Sequence, residues 1–258
     1  MKPIDTSYSV FEDLIQSNNL YVDKTSYLYR LITQGKRYYF LSRPRRFGKS
    51  LTLSTLDAIF KGKRELFRGL YIDKLDYDWK EHPVIHIDFS DITYNSTEGL
   101  KDKIRNNLLF IAGVYGVILP DFYDYDEAFK FLIIELAKRE KVVVLIDEYD
   151  SLLNSNVNNE NIEGIREVLR GFYSVLKASS ANIRFCFITG VTKFSKMSIF
   201  SSMNNLVDMS MSDEYSTMLG YTQKELEENF SEYIEKAVKD NKKNREEYLA
   251  QIKRWYDG

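Results

Sequence analysis

The chain has 258 residues, of which 44% are hydrophobic and 29% are charged, and this composition is typical of a folded globular protein rather than a disordered segment. Its formal charge of −2 gives no overall electrostatic footprint for nucleic acid or for an anionic membrane. A single cysteine, Cys186, excludes an intrachain disulfide, and no apolar run approaches the roughly 20 residues of a membrane span. We therefore expect a soluble, cytoplasmic protein without a membrane partner.

The N-terminal part of the chain predicts a helix followed by a short strand. Apolar residues at helical spacing predict a helix that is capped by Asp23 or Thr25 and stops at Gly35. The apolar run Tyr38–Leu41 then predicts a strand. This strand leads directly into the most distinctive loop of the sequence.

That loop ends in Phe47-Gly48-Lys49-Ser50, and the residues from about Lys49 to Phe60 predict a helix. Strand, loop, Gly-Lys-Ser and helix follow one another in the order of a phosphate-binding loop. Helix N-terminal amides and the ammonium of Lys49 would lie against a phosphate chain, and the hydroxyl of Ser50 would reach Mg²⁺. The match is incomplete, because the pattern G-x-x-x-x-G-K-[ST] requires glycine where this chain has Arg43.

The middle of the chain predicts a linker, a second strand and two helices. Residues 61–82 are charged and aromatic and predict a linker with short helical turns. The run Pro83–Phe89 predicts a strand that begins after a proline. Amphipathic helices are predicted at about 97–116 and 126–139.

An aliphatic run followed by two acids is the most informative stretch of the sequence. Val142–Ile146 predicts a strand buried on both faces, as parallel sheets require. Asp147 and Glu148 follow at its carboxyl end, which is the edge where α/β sheets place their ligands.

The remaining elements complete an α/β pattern. The predictions are a loop at 154–161, a helix at 162–178, a strand Ile183–Ile188 that ends at Thr189-Gly190, a short strand Leu206–Met209, and a helical tail opened by a Thr222/Glu225 capping box. We predict an α/β P-loop NTPase with a mainly parallel sheet of about five strands flanked by helices. Residues 1–220 would form this domain, and residues 221–258 a helical extension.

A phosphate loop followed by a strand that ends in Asp-Glu is much more specific than either part alone. In such a site Lys49 would contact the β- and γ-phosphates of ATP, and Ser50 and Asp147 would hold Mg²⁺. Glu148 would act as the general base, and Thr189 would sense the γ-phosphate or position the attacking water. The alternative is that Asp147 and Glu148 cap a helix and that Lys49 is a surface lysine.

Several stretches resemble the bacterial AAA-ATPase-like family: YVDKT (21–25), SRPRRFGKSLTLSTL (42–56), HPVIHIDFS (82–90), VVVLIDEYD (142–150) and FITGVTKFSKMSIFSSMNNLVDMS (187–210). The family often carries a restriction-endonuclease-like nuclease domain after the ATPase, so the resemblance implies that this chain is the ATPase half of a longer protein. It also implies a loop of the form Arg-Pro-Arg-x-x-Gly-Lys-Ser, which makes Arg43 a family trait. Where relatives commonly show arginine after the Thr-Gly-Val turn, this chain has Lys193.

Further nucleotide contacts are expected around the loop and upstream of it. Phe47, Gly48 and Leu51 would complete the phosphate site. Arg45 and Arg46 would contact phosphates or nucleic acid, unless they are solvated loop arginines. Related ATPases build an adenine pocket upstream of the loop, where this chain has Tyr21 and Asp23; alternatively, Asp23 only caps a helix.

Three functions remain open from the sequence. The leading hypothesis is a Mg²⁺-dependent ATPase, and the second is a nucleotide-binding switch or assembly module with negligible turnover. The third hypothesis, a small-molecule kinase, is disfavoured because Glu148 is better suited to activating water than to binding a phosphoryl acceptor. The nuclease association suggests DNA as a partner, and a homo-oligomer would allow an arginine finger from a neighbouring subunit, with Arg166 or Arg170 as candidates.

Overall fold

The computed structural model of the chain describes residues 1–94, 96–121, 123–154, 161–192, 199–200, 203–241 and 244–256. Within these residues, a five-stranded parallel sheet forms the centre of the protein. Its strands are β1 (Tyr38–Ser42), β2 (Val84–Asp88), β3 (Val142–Asp147), β4 (Ile183–Gly190) and β5 (Val207–Asp208). Their order across the sheet is β2-β3-β4-β1-β5. All five predicted strands are therefore confirmed, and β4 extends far enough to include Thr189.

The register of the strands sets which residues meet at the carboxyl edge of the sheet. Ser42 of β1 pairs with Gly190 of β4. Asp88, the last residue of β2, pairs with Asp147, the last residue of β3. One strand, β4, separates β1 from β3, so Thr189 lies between the strand that enters the predicted phosphate loop and the strand that ends in the acids.

Helices cover both faces of the sheet. In chain order they are α1 (Phe11–Gln16), α2 (Thr25–Thr33), α3 (Lys49–Phe60), α4 (Thr97–Val114), α5 (Tyr125–Ala137), α6 (Ser151–Asn154), α7 (Ile162–Ala178), α8 (Gln223–Asn229), α9 (Ser231–Asn241) and α10 (Arg245–Tyr256). The apolar faces of α4, α5 and α7 pack on one side of the sheet, and those of α1, α2 and α3 on the other.

The sheet residues alternate between these two cores. Val142, Val144 and Ile146 belong to the core with α4, α5 and α7. Val143 and Leu145 belong to the core with α1, α2 and α3. This alternation explains why β3 is an unbroken aliphatic run, because successive side chains point to opposite faces and both faces are buried.

The boundaries differ from the predictions by a few residues. The linker at 61–82 contains two 3₁₀ helices, Arg64–Phe67 and Tyr71–Lys74. Helix α4 stops at Val114, two residues early, and Gly116 follows with φ of 66°. Helix α5 begins one residue early behind an Asp124/Glu127 capping box that the sequence analysis did not identify. Most of the predicted loop at 154–161 lies outside the described residues.

The C-terminal helices contact the N-terminal segment. The predicted capping box at Thr222 and Glu225 opens α8. The Lys24 ammonium lies 2.6 Å from the Glu225 carboxylate and donates to the Thr217 carbonyl at 2.8 Å. The chain before α2 is thereby joined to the start of the helical extension. Across the part of the chain that the structure describes, none of the helices has the length and apolarity needed to span a bilayer.

Candidate functional site

The predicted phosphate loop connects β1 to α3 at the carboxyl edge of the sheet. Gly48 occupies the N-cap position of α3 with φ of 86° and ψ of 21°, a left-handed conformation that favours glycine. Among the described residues, no side chain caps this helix start, so its first amides keep their capacity to bind an anion. Arg45, Arg46 and Phe47 lie on the exposed surface of the loop. The loop therefore combines two exposed arginines with a helix start that no described side chain caps.

Lys49 is buried beneath the loop. Its side chain is only 5% exposed, and its ammonium donates a hydrogen bond to the carbonyl of Pro44 at 3.1 Å. The side chain therefore folds back to the carbonyl of a loop residue, and Lys49 is not a surface lysine. Ser50 and Leu51 follow in the first turn of α3, and both are partly exposed.

Arg43, which stands in place of the first glycine of the pattern, belongs to the framework of the loop. Its backbone amide donates to the carbonyl of Gly190 at 3.1 Å. Its guanidinium donates to the carbonyl of Ser42 at 3.1 Å and to that of Ser210 at 2.6 Å. The side chain thus ties the loop entry to the end of β5.

The two acids at the carboxyl end of β3 have different environments. Asp147 is 2% exposed, and its Oδ1 accepts hydrogen bonds from the Glu148 amide at 2.9 Å and from the Thr189 hydroxyl. Glu148 has φ of 46°, a left-handed conformation that is unfavourable for a residue with a Cβ. Helix α6 begins at Ser151, whose amide bonds to the carbonyl of Glu148. The bonds described for Asp147 thus come from its neighbour and from β4 rather than from a helix N-terminus.

Burial and nearby charges both change the pKa of the Glu148 carboxyl group. Burial raises the pKa of this carboxyl above its ordinary value, and the negative charges of Asp147 and Asp88 raise it further. The positive charges of Lys49 and Arg45 act in the opposite direction. The charges that act on this one carboxyl group therefore come both from the loop cations and from the acids of β2 and β3. A carboxyl with a raised pKa is a stronger base once it is ionised.

Thr189 is fully buried in β4. Its hydroxyl donates to the carboxylate of Asp147, and Leu41 is its partner in β1. The structure thus joins Thr189 to the acid predicted to hold the metal. Its predicted role towards the γ-phosphate stays a prediction.

Tyr21 and Asp23 make contacts within the protein on the α3 side of the sheet. The Asp23 carboxylate accepts from the amide and hydroxyl of Thr25, at 2.8 and 2.6 Å, and from the amide of Tyr71 at 2.6 Å. Its side chain therefore satisfies the first amide of α2, although Lys24 occupies the N-cap position. The Tyr21 ring packs edge-on against Phe11, and burial and the charge of Asp23 raise the pKa of its hydroxyl. Their contacts with adenine stay predictions.

Two acids at this edge of the sheet were missed by the sequence analysis. Asp88 pairs with Asp147 and contributes to the electrostatics of Glu148. The signal was available, since Asp88 is the penultimate residue of the predicted strand 83–89, close to its carboxyl end as Asp147 is in β3. Asp150 is fully buried and bonds to the turn that follows β4. Only the folded arrangement of β3 and β4 reveals that contact.

Both arginine-finger candidates are described by the structure, whereas Lys193 is not. Arg166 and Arg170 both lie on α7 and pair with Glu163, at 3.1 and 2.8 Å. Lys193 lies outside the described residues.

Two open cavities in the described structure lie away from this edge of the sheet. One of about 610 Å³ opens at the amino end of β1, beside Lys36 and Arg37. The other, of about 350 Å³, opens between the end of α4 and α5, beside Ile118 and Phe131. Neither is lined by the residues of the phosphate loop.

A parallel sheet whose β1 leads into a Gly-Lys-Ser loop, and whose β3 ends in two acids beside that loop, defines an α/β fold of the P-loop NTPase type. The chain belongs to the AAA-ATPase-like family, because the family model, described as "Predicted AAA-ATPase", matches residues 6–200. The family resemblance is thus confirmed, and membership suggests nucleotide binding and ATPase activity.

A similar protein is known from Azotobacter chroococcum mcd 1, where it is named "Uncharacterized protein in vnfD 5'region". The two are 40% identical over 242 residues, which cover 92% of this chain and 44% of that relative. This chain therefore spans less than half the length of the relative. The predicted association with a nuclease domain is not shown by these similarities.

Proposed function

We propose that this chain is an ATPase module that binds ATP with Mg²⁺ and hydrolyses it at the carboxyl edge of the sheet. One observation carries the proposal: the buried Lys49, the start of α3 and the Asp147-Glu148 pair lie at the same carboxyl edge of the sheet, where the charge of Lys49 acts on the Glu148 carboxyl group. Phosphate chemistry requires positive charge and amide donors on one side and an acid near the attacking water on the other.

Binding would use groups that the fold already holds in place. The first amides of α3 have no side-chain cap from the described residues, and the ammonium of Lys49 would exchange its bond to the Pro44 carbonyl for bonds to the β- and γ-phosphates. Arg45 and Arg46 lie on the exposed side of the same loop, where they would contact phosphate oxygens. Tyr21 and Asp23 are proposed to line the adenine side.

The metal would be held by oxygen ligands. Ser50 offers a partly exposed hydroxyl in the first turn of α3, and Asp147 offers a carboxylate at the end of β3. These donors fit Mg²⁺, which prefers oxygen and keeps several waters, although no group of three or more His, Cys, Asp or Glu side chains in the described residues forms a metal cage. When bound, the ion would neutralise charge on the β- and γ-phosphates.

Water activation is assigned to Glu148. Its raised pKa makes the ionised carboxylate a better proton acceptor, and its left-handed backbone is the kind of local strain that functional sites retain. Thr189, bonded to Asp147, is proposed to contact the γ-phosphate or the attacking water.

The biological setting is proposed from the family resemblance. Residues 1–220 would form the ATPase domain and residues 221–258 an extension that leads to a nuclease domain acting on DNA in the cytoplasm. A second copy of the chain would supply an arginine finger. Salt-dependent DNA binding by a longer protein, and the oligomeric state with ATP present, test these two partners separately.

ATP hydrolysis by purified variants tests the proposal. Lys49→Ala is expected to lower kcat/KM by roughly 100-fold or more, since it removes the charge that meets the phosphates. Lys61→Ala is the matched control, because Lys61 follows the other end of the same helix and pairs only with Asp57 in the described structure. Chelation of Mg²⁺ is expected to abolish turnover. Equal rates for the wild type and Lys49→Ala would refute the assignment.

A switch with negligible turnover is the second candidate. Arg166 and Arg170 pair with Glu163 on the surface of their own helix, and an isolated chain would lack an arginine from a second copy, which favours slow hydrolysis. Tight ATP binding combined with a wild-type rate no faster than that of Glu148→Gln would select this candidate.

A further inference from the structure

Asp150 is a buried carboxylate that the proposed chemistry does not use. Its side chain is 0% exposed, and its oxygens accept from the Val191 amide at 3.1 and 3.3 Å and from the Thr192 amide at 2.7 Å. The Thr192 hydroxyl donates at 2.6 Å and the Asn154 amide group at 2.9 Å. A buried carboxylate is costly unless it is fully hydrogen-bonded, and most of these donors lie on the turn that follows β4. Asp150 therefore fixes the position of that turn.

Tyr149 holds the same turn from the preceding position. Its hydroxyl donates to the Thr192 carbonyl at 2.7 Å, and its amide donates to the Thr189 carbonyl at 2.9 Å. Gly190 lies directly against both side chains, since a Cβ there would be 2.3 Å from Tyr149 Cδ1 and 2.6 Å from Asp150 Oδ1. We call Tyr149 and Asp150, with the turn 190–192 that they hold, the 149–150 clasp. Only glycine fits at position 190 while the clasp is closed.

The clasped turn joins the two halves of the proposed site. Thr189, immediately before it, donates to the Asp147 carboxylate on β3. The Gly190 carbonyl accepts from the amide of Arg43, the first residue of the phosphate loop. A movement of the turn would therefore displace Thr189 relative to both Asp147 and the loop.

We infer that Asp150 is a positioning residue, which holds Thr189 where it distinguishes a bound triphosphate from a diphosphate. The inference rests on the proposed function and deepens it. Asp150 itself touches neither nucleotide nor metal in this account. Its carboxylate acts through the turn, and Tyr149 supports the same turn through its hydroxyl.

The test compares the affinities of the chain for a non-hydrolysable ATP analogue and for ADP, each with Mg²⁺. In Asp150→Asn an NH₂ group replaces one acceptor oxygen and faces amide donors, so the turn loses hydrogen bonds that fix its position. We expect the preference for the analogue to fall about tenfold, which is the effect of one charge-assisted hydrogen bond, and to fall less in Tyr149→Phe. Tyr149→Phe carries the test if Asp150→Asn does not fold, because it removes only a hydroxyl.

The matched control is Tyr125→Phe. It removes a buried hydroxyl that donates to a backbone carbonyl, that of Val168 at 3.1 Å, but it does so between α5 and α7, away from the site. We expect it to lower Tm without changing the ratio of the two affinities. A clasp with a purely structural role would behave in the same way.

A double-mutant cycle with Thr189→Val isolates the positioning effect. If Asp150 acts by placing Thr189, then Asp150→Asn adds no further loss of preference in the Thr189→Val background. Additive losses, an unchanged ratio in both clasp variants, or equal affinities of the wild type for the two nucleotides would overturn the inference. Failure of the wild type to bind either nucleotide would refute the proposed function and this inference with it. If the wild type binds and hydrolyses ATP but the ratio does not respond to the clasp variants, the inference alone fails.

Discussion

Replacing Arg43 by glycine would restore the general phosphate-loop pattern, yet we expect it to destabilise this protein. The Arg43 guanidinium bonds to the carbonyls of Ser42 and Ser210, at 3.1 and 2.6 Å. Ser210 is 4% exposed, so water has little access to replace the lost donor. The Ser42 amide also donates to the Ser210 hydroxyl, so the junction between the end of β1 and the segment after β5 keeps this bond but loses those of the guanidinium.

The magnitude follows from these contacts. Hydrogen bonds from a charged donor contribute about 1.5–3 kcal/mol, and the partial exposure of Arg43 favours the lower end of that range. The added backbone freedom of glycine costs roughly 0.5–1 kcal/mol more. We therefore expect the free energy of unfolding to fall by about 2–2.5 kcal/mol, which lowers Tm by roughly 4–10 °C for a domain of this size.

Urea unfolding and thermal melts of Arg43→Gly and Arg46→Gly measure this effect. Arg46 lies in the same loop but has φ of 65°, a left-handed conformation that costs a non-glycine residue roughly 1 kcal/mol. We expect Arg46→Gly to be neutral or slightly stabilising, whereas the same change at Arg43, three residues earlier, is expected to be destabilising. A neutral or stabilising Arg43→Gly would refute the framework role of Arg43.

The remaining predictions concern three other groups. The pKa of Glu148 is higher in the folded state than its ordinary value of 4.5, so protonated Glu148 favours folding. This contribution to the free energy of unfolding is complete below pH 4.5 and is lost as the pH rises through the pKa of the folded state. Glu148→Gln should therefore be more stable than the wild type at pH 8 in urea unfolding, by a margin that narrows as pH approaches 4.5; a margin independent of pH would contradict this. Cys186 is fully buried and its pKa is raised by burial, so a thiol reagent should label it only after unfolding, and rapid labelling of the native protein would place it outside the core. A double-mutant cycle of Lys24→Met and Glu225→Gln should give a coupling of about 1 kcal/mol, because this pair is largely shielded from water; zero coupling would mean that the helical extension is not held there.

Much of the fold could be predicted because its signals are local. The aliphatic run of β3 is buried on both faces. The flanking helices are buried on one face only, which gives their apolar residues a helical spacing in the sequence. The Gly48 turn and the uncapped start of α3 also follow from the Gly-Lys-Ser pattern. These features depend on residues that lie close together in the sequence.

The rest depends on contacts between distant residues. Arg43 reaches Ser210, and Asp150 reaches residues 191 and 192, and neither pairing leaves a periodic signal in the sequence. The order of the strands, which inserts β4 between β1 and β3, decides that Thr189 meets Asp147. The left-handed backbone of Glu148 is likewise a property of the assembled sheet edge, since nothing in the residue itself favours it.

Single-turnover release of phosphate from Mg²⁺-ATP, by the wild type and by Glu148→Gln, tests the central claim most directly. Both proteins should bind ATP with similar affinity, because Glu148 contacts water rather than the phosphates in this account. The wild type should release phosphate roughly 100-fold faster or more, which is the contribution expected of a general base. Equal rates for the two proteins, with ATP bound to both, would contradict the assignment of Glu148, and no phosphate release from the ATP-bound wild type would contradict the assignment of this chain as an ATPase.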